Sequence, residues 1–322
     1  MRRFVRVFLL FLLLQAGVLA TLIAINSPSR DFLAASIDKH RLLSTAPSPR
    51  IVFVGGSNLA FGIDSELVYR QLGERYHPVN MGLVAALGLD YLVNEVENGL
   101  RPGDVVVISP EYDALWGPVA NVSALWELIE QRPQDWAYLG RAEQTRLLKD
   151  SFAEPQDYAH RLVLQSYYRV YSEVFSHTPA RVVYSRSGFD RFGDFATATG
   201  LASAYRGAPA CWVTSFPGAY LAKRIALLNC FVARCRDHGV RVFFSYPPLA
   251  QDYYVQNKAL IEATAAALSK GLQAPIIDTP AQMVFPPGDF YDMQNHLRGA
   301  AVDIRTERLL ASLRSELRKP TQ

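Results

Sequence analysis

The chain has 322 residues, half of them hydrophobic, which suffices for one substantial α/β core or two small domains. Its 33 basic and 30 acidic residues leave a net charge of +3. So even a balance, with no like-charge run, argues against a nucleic-acid-binding surface. No low-complexity stretch or solenoid-period repeat is present either.

The N-terminus carries an address. Arg2, Arg3 and Arg6 precede an uncharged run from Val7 to Ile25, in which Gln15 is the strongly polar side chain. Nineteen helical residues span roughly 28 Å, close to a hydrocarbon core of about 30 Å. Flanking arginines favour an N-terminus kept in the cytoplasm, with the remaining chain outside. Residues 1–26 are thus expected to be a transmembrane signal-anchor. The competing reading is a signal peptide cut after Val18-Leu19-Ala20; the length of the run favours the anchor.

Residues 27–48, ending in Ala46-Pro47-Ser48-Pro49, are expected to be a linker with some helix. A domain over 49–320 follows. Strands are predicted at Ile51–Val54, Tyr76–Val79, Val105–Ser109, Val240–Ser245 and Ala274–Ile277. Helices are predicted from Asp64 or Ser65 to Leu72, and over Leu89–Leu100, Leu221–His238, Asn257–Lys270 and Gly299–Leu317. Alternation of apolar strands with helices predicts an α/β fold with a doubly wound parallel sheet. Residues 115–215, rich in Trp, Tyr and Arg, break the alternation and read as a helical insertion, a lid or substrate platform.

In such sheets ligands sit at the carboxyl ends of the strands. Gly55-Gly56-Ser57-Asn58 follows the first strand directly, so Ser57 is a candidate nucleophile; the ordinary alternative is a structural loop serine. Asp292-Met293-Gln294-Asn295-His296-Leu297 precedes the last helix. His296 is the candidate base, and Asp292 the carboxylate that orients it. On a helical turn, residues four apart would share a face. The bland alternative is a surface Asp and His without contact.

Together these motifs resemble the SGNH hydrolases, also called GDSL esterases, and especially their bacterial cell-surface polysaccharide branch. The resemblance runs from about residue 50 to 317, interrupted by the insertion. It implies a three-layer, flavodoxin-like SGNH fold. It also implies a serine ester hydrolase or O-acyltransferase with catalytic Ser57, His296 and Asp292. Asn80-Met81-Gly82 matches the block whose glycine N–H joins the nucleophile's own N–H in the oxyanion hole, so Gly82 and Ser57 are the implied donors. Two positions depart from the family pattern. Glu111, in Ser109-Pro110-Glu111-Tyr112-Asp113, stands where an amide donor is expected. An ionised carboxylate would repel an oxyanion; Glu111 is then protonated, turned away, paired with something positive, or used for substrate binding. Asn58 is a candidate substitute donor. The Asp–His spacing is D-x-x-x-H instead of D-x-x-H, with Met293 at the usual aspartate position.

Arg186 and Arg191, with Asp194, lie in the stretch from Tyr184 to Asp194. They are candidates for holding a carboxylated sugar; the alternative is a solvated turn. Trp116, Trp126 and Trp136 could stack on sugars, but core packing is the commoner role. His40, His77, His160, His177 and His238 have no partner in a recognisable motif. Cys211–Cys230 is the disulfide pairing to test first, with Cys235 a buried hydrophobe. No metal or other cofactor is expected.

The expected activity is therefore that of a membrane-anchored esterase or O-acyltransferase in the periplasm or outside the cell. Its substrates would be acyl esters, foremost acetyl, of a cell-surface or secreted polysaccharide. A membrane acyltransferase is a candidate partner. The alternative is an inactive SGNH-shaped scaffold that binds polysaccharide or assists its export.

Overall fold

The structure, a computed structural model, describes residues 2–26, 31–118, 120–153, 163–164, 166–167 and 184–319. The first helix, α1 (Arg2–Asn26), carries a 20-residue apolar stretch, Arg3–Leu22, long enough to cross a membrane. The described side chains along it are exposed almost throughout.

The segment between anchor and domain is not a plain linker. A short 3-10 turn, Phe32–Ala34, leads into α2 (Ala35–Thr45). Phe32, Leu33, Ala34, Ala35, Ser36, Lys39 and Leu43 are buried there. Charged residues between the apolar ones make this stretch look solvated. In fact Lys39 lies inside, donating to the carbonyls of Asn80 at 2.8 Å and Gly193 at 2.6 Å. The packed unit therefore begins near Phe32, not at residue 49.

Four strands form a parallel sheet: β1 (Arg50–Gly55), β2 (His77–Asn80), β3 (Val105–Ser109) and β4 (Arg241–Phe244). Their order is β2-β1-β3-β4, with Ile51 opposite Val105 and Val105 opposite Arg241. The predicted strand at Ala274–Ile277 is reduced to a parallel bridge between Ile276 and Phe244 at the edge of β4.

Alternate residues of each strand face opposite ways. Val52, Val54, Val106, Ile108 and Phe244 join one buried cluster, with Leu92, Val96, Leu228 and Phe231. The last four belong to α5 (Leu89–Glu97) and α9 (Gly218–Asp237). Ile51, Phe53, Val105, Val107 and Phe243 join the other, with Val68 of α4 (Ser65–Gln71) and Leu309, Leu310 and Leu313 of α12 (Ala300–Leu317). Helices thus cover both faces of the sheet.

Several ends follow from local chemistry. Asp64 caps α4 by accepting from the Leu67 N–H at 2.8 Å. Asn121 likewise caps α7 (Val122–Gln131). Gly239, at φ 71°, takes the left-handed turn after α9. Arg50 and Asp104 form a fully buried pair beneath β1, in which Arg50 also donates to the carbonyls of Leu43 and Gly99.

In the insertion, α6 (Tyr112–Trp116), α7 and α8 (Arg141–Ala153) are helical, with short 3-10 turns at Pro133–Tyr138, Arg186–Gly188 and Ala196–Ala198. Most of the stretch from 154 to 183, with His160 and His177, lies outside the described residues. The remaining helices are α10 (Gln251–Gln256) and α11 (Lys258–Gly271), and a two-residue parallel pair joins Leu249–Ala250 to Val284–Phe285. Cys211, Cys230 and Cys235 are all free thiols, so the expected disulfide is absent. Burial pushes the Cys235 thiol up to about 12.

Candidate active site

Ser57 is the first residue of α3 (Ser57–Gly62), just beyond the carboxyl end of β1. The two glycines before it are required by close approach. A Cβ on Gly55 would come within 2.3 Å of the Ser109 carbonyl oxygen. One on Gly56 would meet both Glu111 carboxyl oxygens, at 2.4 and 2.5 Å. The strand thus delivers Ser57 into a crowded corner, where it is only 9 % exposed.

His296 arrives from the loop before α12. That loop closes on itself: the Tyr291 N–H donates to the His296 carbonyl at 2.8 Å, and the His296 N–H to the Met293 carbonyl at 3.2 Å. The second bond spans four residues, Met293 to His296, as in a β-turn. This turn absorbs the additional residue of the D-x-x-x-H spacing and brings Asp292 back beside the ring without a helix.

The result is a continuous hydrogen-bonded chain. Ser57 Oγ lies 2.7 Å from His296 Nε2, and His296 Nδ1 lies 2.7 Å from Asp292 Oδ1. A carboxylate accepts and cannot donate, so Nδ1 carries the proton. Nε2 is then the acceptor, and the Ser57 hydroxyl donates to it. Burial raises the pKa of Asp292, but bonds from His296 and Tyr184 outweigh it and hold the carboxyl below its usual range. Asp292 is therefore ionised at neutral pH.

Two contacts to this chain had no sequence signal. The Tyr184 hydroxyl donates to Asp292 Oδ2 at 2.5 Å and lies 3.3 Å from His296 Nδ1. The Phe61 ring stacks on the His296 imidazole, with centroids 4.1 Å apart and planes 6° apart. Phe32 and Phe195 each pack on both Phe61 and Tyr184, and Phe189 packs on Phe32 and Phe195 in turn. The pre-domain turn and the insertion thus supply the wall behind the histidine. His296 is 3 % exposed.

The expected oxyanion donors are placed differently. Asn80 turns its side chain back on its own loop, and its Oδ1 accepts the Gly82 N–H at 2.9 Å. This is an Asx-turn bond, and it engages the N–H that was expected to face the oxyanion. Gly82 is instead a packing glycine: an added Cβ would lie 2.8 Å from the Gly56 carbonyl oxygen and 2.6 Å from Leu59 Cβ. The Asn58 side chain is engaged as well. Its Nδ2 donates to the Ser109 carbonyl at 2.8 Å, and its Oδ1 accepts from Arg305 at 2.9 Å. The Ser57 N–H, at the first helical position, has no intrahelical acceptor.

Glu111, two residues beyond β3, lies against the nucleophile. Its Oε1 accepts the Asn58 N–H at 2.9 Å and lies 3.5 Å from Ser57 Oγ. Its Oε2 accepts the Gly56 N–H at 3.2 Å. Burial raises its pKa, and the bond from the Asn58 N–H opposes the rise in part.

The insertion's arginines are not at the nucleophile. Arg186 forms a two-point ion pair with Asp38 of α2, at 2.6 and 2.8 Å, and Arg191 pairs with Glu66 of α4. Both pin the insertion to the domain. Asp194 accepts from Ser65 and Asn80, and burial pushes its carboxyl up to about 7. Trp116 is buried, donating to Thr264, while Trp126 and Trp136 pack on each other. Trp212 instead remains 55 % exposed, with its indole N–H on Asp113. No group of three or more His, Cys, Asp or Glu able to hold a metal occurs among the described residues. Comparison with protein-family models finds no match to this chain, and none is found among curated proteins.

Proposed function

We propose that the chain is a serine acyl-transfer enzyme of the SGNH type, an esterase or an O-acyltransferase. Its natural substrates are O-acyl esters, foremost acetyl, on a cell-surface or secreted polysaccharide. The observation that carries the class is the unbroken chain from Ser57 Oγ through His296 to Asp292, at 2.7 Å in each step. The substrate class follows from the family resemblance and from the apolar helix α1.

In the proposed reaction His296 Nε2 takes the Ser57 proton as Oγ attacks the ester carbonyl. Asp292 stabilises the imidazolium and keeps Nδ1 protonated. The tetrahedral intermediate collapses as Nε2 returns the proton to the departing alcohol. Water or a sugar hydroxyl then takes the acyl group from Ser57 by the same steps. With α1 in the membrane and its arginines in the cytoplasm, the domain faces the periplasm or the outside.

Ser57→Ala in the full chain, purified in detergent, is expected to lower p-nitrophenyl acetate hydrolysis by at least about 10³-fold. Its thermal unfolding should match that of the wild type. Unchanged turnover would contradict the proposal. One observation favours the second reading, an inactive scaffold that binds or helps export polysaccharide: the N–H groups of Gly82 and Asn58 are already engaged. That reading predicts no measurable turnover in the wild type.

A further inference from the structure

Glu111 sits where a negative charge would be most harmful to acyl transfer. Its Oε1 is 3.5 Å from the nucleophilic oxygen. At that separation a carbonyl oxygen on the carbon that Oγ attacks can be placed about 3 Å from Oε1, the distance of an oxyanion donor. The side chain is 5 % exposed, and it forms no ion pair among the described residues. Arg305, the guanidinium facing this corner from α12, is directed instead to Asn58 O at 2.6 Å, Asn58 Oδ1 and Ser109 Oγ. Charged and titratable neighbours besides Arg305 are His296 from the catalytic loop, Tyr253 from α10, and Tyr112 and Asp113 on α6 itself. None supplies Glu111 with a counter-charge in contact.

A second observation concerns the amide that faces Glu111 from the catalytic loop. Asn295 Nδ2 lies 3.5 Å from Glu111 Oε1, longer than an ordinary hydrogen bond, so it brings neither a charge nor a close donor to the carboxyl.

We propose that Glu111 acts as a neutral carboxylic acid whose O–H donates to the acyl oxygen in the tetrahedral intermediate, in place of an amide. The proposal rests on the esterase or acyltransferase reading. No bond in Glu111 is made or broken. The Oγ–carbon bond forms, the carbonyl π pair moves onto oxygen, and the Ser57 proton goes to His296. Glu111 keeps its proton and shares it in a hydrogen bond until the intermediate collapses. The proton is on Oε1, the oxygen 3.5 Å from Ser57 Oγ, while Oε2 keeps accepting the Gly56 N–H. A carboxylic acid held neutral by its site is an effective donor of this kind.

The expected pH dependence has a definite sign. Glu111 must be protonated, so activity falls as pH rises through its raised pKa. The test compares kcat/KM profiles of wild type, Glu111→Gln and Glu111→Ala for p-nitrophenyl acetate, on the full chain in detergent. Glu111→Gln should stay within about tenfold of wild type at its optimum and lose the alkaline fall, because an amide cannot ionise. Glu111→Ala should lose about 10²–10³-fold. The infrared spectrum of the wild type at its pH optimum should also show a carboxylic acid C=O band that Glu111→Gln lacks. This keeps the idea testable even if the alanine variant does not fold. An alkaline fall that persists in Glu111→Gln, or no such band, overturns the role of Glu111 while leaving Ser57 chemistry standing. A wild type without turnover overturns the enzyme reading and this inference with it.

Discussion

Asp292 shows what the Ser57–His296–Asp292 chain needs beyond its three members. One carboxylate oxygen accepts from His296 and the other from Tyr184. With both engaged, the carboxylate cannot rotate away from the imidazole. Tyr184→Phe removes one bond to a charged group, worth about 1.5 kcal/mol or somewhat more. The expected outcome is a fall in kcat of roughly tenfold with KM nearly unchanged, since the hydroxyl positions Asp292 and does not hold substrate. A raised KM at unchanged kcat would instead make Tyr184 a substrate contact. Ser57, His296 and Asp292 were legible in the sequence because each lies next to an element boundary that hydrophobic periodicity reveals. Tyr184 was not, because its partner is 108 positions away and the stretch before it has no clear periodicity. The direction of the Gly82 N–H was not legible for a local reason. A backbone N–H is identical in every glycine, and only the Asn80 side chain, folded back on Gly82, decides its direction.

At the scale of elements, α12 fixes the nucleophile's turn from behind. Arg305 is wholly buried and donates to the carbonyl and side chain of Asn58, one residue after Ser57. Gly62 leaves room for it, since a Cβ there would meet the guanidinium at 2.3 Å. Burial pushes the Arg305 pKa down to about 10, so it is charged at neutral pH. Arg305→Met would leave several buried acceptors without donors. We expect a loss of about 2–4 kcal/mol in unfolding free energy, read from denaturant titration, with lower turnover in the fraction that folds. A change below about 0.5 kcal/mol would show that these bonds do not hold α3 in place. The main helices and strands were readable from apolar periodicity, and most ends fall within a few residues of expectation. The failures have physical causes. The strand at Ala274–Ile277 meets β4 at its outer edge and forms only a bridge, next to Pro275, which has no N–H to offer. The helix expected within the linker is present as α2, but its burial was not legible, because Lys39 looks like a surface residue and its carbonyl acceptors come from Asn80 and Gly193.

The molecule as a whole joins an apolar helix, long enough to span a bilayer, to an α/β unit with its candidate site at the carboxyl edge of the sheet. The two are close in sequence: α1 ends at Asn26 and the packed unit begins near Phe32. Phe32 itself packs against Tyr184, Phe61 and Phe195, the aromatic group behind His296. The segment just after α1 is therefore part of the support of the site. Fold class and the order of the motifs were legible at this scale, because a parallel sheet gathers residues from distant loops onto one edge. The identity of the wall was not, since it depends on how the insertion folds back.

The central claim is that Ser57 is an activated nucleophile. Its most direct test is a fluorophosphonate probe applied to the folded full chain in detergent near neutral pH, with the adduct located by peptide mass spectrometry. The account predicts a single phosphonyl adduct on Ser57, formed in the wild type and lost in His296→Ala. A folded wild-type protein that takes no adduct at Ser57, or one labelled equally well without His296, would contradict it.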